Sequence, residues 1–74
     1  MPEHTQWEAK AANILKAELK RKGVTYSQLV DKLAEIGVEE KEVNIRNKLS
    51  RGKFTAAFFL QCLAAIEAQH LHLS

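Results

Sequence analysis

The stretch VNIRNKLSRGKFT, residues 43–55, decides how the rest of the chain reads. It carries four basic residues, Arg46, Lys48, Arg51 and Lys53, and no acid. Ile45 and Leu49 stand four apart, which on a helix stacks them on one face. Asn44 and Asn47 add two amides that both donate and accept hydrogen bonds. The stretch is therefore expected to form a short helix, anchored by Ile45 and Leu49, with a basic, amide-bearing outer face. Gly52 is expected to follow it in a left-handed conformation, where asparagine is the next best residue and valine is strained. A helix pinned from behind in this way meets the physical requirement for entering a DNA major groove. The same composition also makes an ordinary solvated helix face.

On its N-terminal side, residues 38–42 include Glu39, Glu40 and Glu42, whose charge suits the start of a helix. Asn44 is the best capping residue nearby. A start near Glu39 is expected, with a start near Asn44 as the alternative. Further back, Thr25 and Gln28 have the spacing of a capping box. Leu29, Val30, Leu33 and Ile36 then form the buried stripe of a short helix that Gly37 closes. Ala34 is small enough to admit another helix backbone. Tyr26, in the first turn, can hold its hydroxyl in solvent or on a phosphate. The first helix is expected to open on a second capping box, Thr5 with Glu8, after a frayed polar start. Its apolar stripe is Trp7, Ala11, Ile14, Leu15 and Leu19. It closes on Lys20, Arg21, Lys22 and Gly23, cations that complement the negative end of the helix.

On the C-terminal side, Thr55 is expected to cap a fourth helix, with Phe54 and Phe59 as a hydrophobic staple. Phe58, Phe59, Cys62, Leu63 and Ile66 give that helix a wide apolar face, so Cys62 reads as a buried, inert thiol. The end, residues 69–74, reads as a surface tail in which Leu71 and Leu73 pack on Trp7. His70 and His72 find no further ligand except His4, too few for a metal site.

With 74 residues the chain has room for one domain, its core at about 5–68. The 46% apolar content excludes disorder as the default. A single cysteine excludes an internal disulfide and a cysteine-rich zinc site. No signal peptide and no apolar run near 18 residues is present, so a cytoplasmic address without a membrane partner is expected. No nucleophile, acid–base pair or metal constellation recurs, so no catalytic residue, cofactor or small-molecule substrate is expected. The net charge of +2 is weak by itself; where the charges sit matters more.

The order is now helix, Gly-Val-Thr, short helix, Gly-Val, basic helix, Arg-Gly-Lys, apolar helix. It resembles the lambda-repressor-like helix-turn-helix family, through Lys22-Gly23-Val24-Thr25, Leu29-Val30, Gly37-Val38 and Leu49-Ser50-Arg51-Gly52-Lys53. The chain is also similar to a short bacterial domain family of uncharacterised function, in which the run WEAKAANILKAELKRKGVTYSQLVDKL is typical. Two departures stand out: about three extra residues between Gly37 and Gly52, and the acids Glu39, Glu40 and Glu42 before the basic helix. The first resemblance implies an all-α, compact bundle of four or five helices, and a sequence-specific DNA-binding module, a transcriptional regulator. Asn44, Asn47 and Lys48 would contact base edges. Tyr26, Ser27, Gln28, Arg46, Arg51 and Lys53 would contact phosphates. The partner would be double-stranded DNA, bound by a homodimer. The alternative is a protein–protein interaction module on the same scaffold.

Overall fold

A computed structural model describes residues 2–70, with side chains from Gln6 onward. The described residues form four α-helices and no strand: α1 (Pro2–Lys22), α2 (Tyr26–Glu35), α3 (Glu42–Arg51) and α4 (Ala56–Ala65). The longest, α1, has 21 residues and begins at Pro2. Proline suits the first helical position, where its missing N–H has no partner to lose. The helix therefore runs through Thr5, which does not cap it as the sequence suggests. The expected stripe of α1 also splits in two. Ala12, Leu15 and Leu19 face the core, while Ala11 and Ile14 are half-buried on its flank and Trp7 is 68% exposed. Glu18 is buried too, its carboxylate 3.3 Å from the Arg21 guanidinium.

Both halves of the α2 capping box form. The Gln28 N–H donates to the Thr25 hydroxyl oxygen (3.1 Å), and the Thr25 N–H donates to Gln28 Oε1 (2.9 Å). Leu29 and Leu33 are fully buried and Val30 is half-buried. Ile36 is 47% exposed, against expectation, because it is the C-cap, where the chain leaves the helical path. Ala34 is exposed, so no other helix among the described residues uses the space beside it. The turn out of α2 closes as the Val38 N–H donates to the Leu33 carbonyl across left-handed Gly37 (2.9 Å).

The third helix starts at Glu42, later than the expected Glu39 and earlier than the alternative Asn44. Lys41 stands extended at its N-cap with no side-chain cap, so neither the charge signal nor the capping signal alone located the boundary. Ile45 and Leu49 are fully buried, as their spacing requires. The fourth helix is capped by Thr55, whose hydroxyl accepts from the Phe58 N–H at 3.0 Å. Phe54 stacks on Phe59 with centroids 6.0 Å apart, which completes the staple. Phe58, Cys62, Leu63 and Ile66 are buried.

Leu15, Leu19, Leu29, Leu33, Ile45, Leu49, Phe58, Cys62, Leu63 and Ile66 make one core cluster. The outer helices α1 and α2 each pack against both α3 and α4. The radius of gyration, 11.8 Å, is close to the ~11 Å of a packed chain this long. Gly52 fixes where α3 ends on α1. It is buried at φ +71°, and a Cβ added there would lie 2.5 Å from the Glu8 carbonyl oxygen. The expected packing of Leu71 and Leu73 on Trp7, and the pairing of His70 with His72, fall outside the described residues. No helix of the described residues is long and apolar enough to cross a membrane.

Candidate functional site

The candidate surface is the outer face of α3. Ile45 and Leu49 point inward, so the 100° step of the helix sets Asn47 opposite them, with Val43, Asn44, Ser50 and Arg51 to either side. All five are exposed, Val43 at 54%. Neither Asn47 nor Arg51 has a hydrogen bond or ion pair among the described residues, and the Asn44 amide lies close enough to the Glu40 carboxylate to favour its charge.

The other basic side chains are engaged within the chain. Arg46 Nη2 lies 2.8 Å from the Glu42 carboxylate, one helical turn back, and its guanidinium sits 5.8 Å from the centre of the Tyr26 ring. That contact joins the first turn of α2 to α3, so Tyr26 and Arg46, two of the expected phosphate contacts, do converge. Ser27 beside them is exposed. Gln28 is exposed as well, with its carbonyl oxygen committed to the capping box. Lys48 turns the other way. Its ammonium is 2.7 Å from the Glu40 carboxylate and 4.3 Å from the centre of the Phe58 ring, on the side toward α4. Lys53 reaches within 3.9 Å of the Glu8 carboxylate.

Burial pushes the Glu40 carboxyl up. The hydrogen bond and charge of Lys48 outweigh it, helped by the Lys41 N–H and the Asn44 amide, and the carboxyl ends below its ordinary value of 4.5. Glu40 is thus ionised near neutral pH and holds Lys48 in place. Burial also pushes the Cys62 thiol up, from 9.0 to about 12, with the nearby Glu40 charge adding to it and Lys48 opposing. A thiol so held is protonated and inert at neutral pH.

Reasoning from sequence missed the Glu40–Lys48 pair, because eight residues and a turn separate its members and no periodicity flags it. It missed Val43 as well, although Val43 and Asn47 stand one helical turn apart. Two clefts lie away from this face. One of about 560 Å³ opens between the C-terminal ends of α1 and α4 and the side of α2, with Lys22, Asp31, Lys32 and Glu67 mixing both charges. The other, about 240 Å³, is an apolar groove of Trp7, Ala11, Ile14 and Phe59.

These features define a small all-α domain of four helices whose third helix presents an exposed polar face. Residues 7–71 match the family described as "Domain of unknown function (DUF6471)", and the chain belongs to that family. No curated protein and no solved structure matches the chain.

Proposed function

We propose that this domain is a sequence-specific duplex-DNA-binding module, a transcriptional regulator of the lambda-repressor-like helix-turn-helix type. In this reading α2 and α3 form the helix-turn-helix unit and α3 enters the major groove. The observation that carries it is the outer face of α3: Asn47, Ser50 and Arg51 stand exposed above a fully buried Ile45 and Leu49. Asn47 and Arg51 have the geometry to read base edges, since Asn pairs with adenine and Arg with guanine. Tyr26, Ser27, Arg46 and Lys53 lie around them for phosphate contacts, and Asn44 borders the same face. Lys48 reaches a base only by leaving Glu40. A ten-residue helix spans ~15 Å, less than half of the ~34 Å turn of a duplex, so a homodimer on a two-fold site follows.

The test is duplex titration across a salt series. With Arg46 held by Glu42 and Arg51 on a base, Lys53 neutralising one phosphate gives a slope of log affinity against log salt of about −0.9 per protomer. Glu42→Gln releases Arg46 and steepens it by about 0.9. No binding to any duplex at about 50 mM salt, where phosphate contacts are strong, refutes the proposal. A second reading, a protein–protein interaction module, draws on Glu40 and Glu42, which neutralise two cations of α3 in place. It is the reading that remains if no duplex binds.

A further inference from the structure

Val43 is a large apolar side chain, 54% exposed, on a helix whose inner face is already filled by Ile45 and Leu49. It is not among the partly buried residues that pack against the core. It shares one row of the helix with Asn47 and Arg51, at steps of four residues, and neither of those two is engaged within the described chain. We infer that Val43 determines sequence specificity by contacting the 5-methyl group of a thymine in the bound duplex. The inference rests on the DNA-binding reading and deepens it by naming what the site recognises.

The chemistry runs along the row. An apolar side chain in the major groove finds its partner in the thymine methyl; an amide pairs with adenine N6 and N7; a guanidinium pairs with guanine O6 and N7. Four residues of helix advance ~6 Å, and a base pair advances ~3.4 Å along the duplex, so each step along the row covers roughly two base pairs. The half-site therefore carries a thymine at one end, an adenine about two base pairs further, and a guanine about two beyond that. The flanks support this register. Glu42 and Glu40 tie Arg46 and Lys48 to the two sides of the helix, which leaves the central row as the part free to meet bases.

The experiment selects duplexes from a random library with the full chain, then replaces each selected thymine by uracil, which lacks only the methyl group. At one thymine the wild type loses about fourfold in affinity, the worth of one buried methyl. Val43→Ala loses a similar factor on the thymine duplex and no longer distinguishes thymine from uracil. Circular dichroism checks that this surface variant stays folded. If duplexes are enriched but no thymine-to-uracil change weakens the wild type, the role of Val43 is wrong and the DNA-binding reading stands. If Val43→Ala keeps the discrimination, another residue reads the methyl. If no duplex is enriched, both readings fall together.

Discussion

Gly52→Ala separates two physical effects that usually travel together at a helix-ending glycine. A left-handed backbone costs an alanine about 1–2 kcal/mol. Three glycines of this chain share that backbone: Gly23 at φ +69°, Gly37 at +81° and Gly52 at +71°. At Gly23 and Gly37 an added Cβ meets nothing within 4 Å, so the conformational cost is the whole cost. At Gly52 it meets the Glu8 carbonyl oxygen at 2.5 Å, its carbon at 2.7 Å and the Glu8 Cβ at 3.1 Å. The obstacle is helix backbone and cannot swing aside, so α1 and the end of α3 must separate. Forced displacement in a packed interior costs about 1–3 kcal/mol more. Gly52→Ala should therefore cost about 2–5 kcal/mol in all, against about 1–2 for Gly23→Ala. Gly52→Asn should be comparably damaging, contrary to the tolerance expected from sequence, because asparagine also carries a Cβ. Urea unfolding of the wild type and these variants reads the differences. Equal destabilisation by Gly52→Ala and Gly23→Ala would show that α1 does not press on Gly52 and refute this docking.

Three further outcomes are expected. Leu49→Ala, at a fully buried site, should cost about 2–5 kcal/mol; an unchanged melting curve would mean that α3 is not docked on Leu49. Cys62, with its thiol pushed up to about 12, should react with a disulfide reagent at pH 8 on the order of a thousandfold more slowly than in urea, and equal rates would contradict its burial. Glu40 has a lowered folded pKa, so the stability it gives is present above the unfolded carboxyl value and is lost as pH falls through the folded one. The wild type should accordingly lose stability below about pH 4.5 more steeply than Glu40→Gln, and parallel curves would dismiss the Lys48 pair.

The locally encoded features were legible. The capping threonines Thr25 and Thr55 bond as their spacing predicts, the glycines at 23, 37 and 52 take positive φ, and Ile45 and Leu49 are buried. Misreadings arose where a local signal competed with something stronger or farther away. Proline at the first helical position outranked Thr5 as the start of α1. Trp7 follows the helical period, yet it projects away from the core into a shallow groove, where Lys10 lies 5.5 Å from its ring. The start of α3 carried two weak signals, and the chain uses Lys41 between them. The left-handed residue after α4 is Glu67 at φ +58°, where no glycine marks the turn. In the candidate site, residue types were readable but directions were not. Which cations point outward depends on Glu8, Glu40 and Glu42, and two of these act across a turn or from another helix.

The central claim is that the outer face of α3 meets duplex DNA. The most direct measurement is a ¹H–¹⁵N NMR titration of the full chain with a random-sequence duplex at about 50 mM salt, where phosphate contacts are strong. The account predicts that the amides of residues 43–53 and of Tyr26, Ser27 and Gln28 shift together, while those of the outer face of α4 stay in place. Spectra that do not change, or shifts confined to α4 and the Trp7 groove, would contradict it.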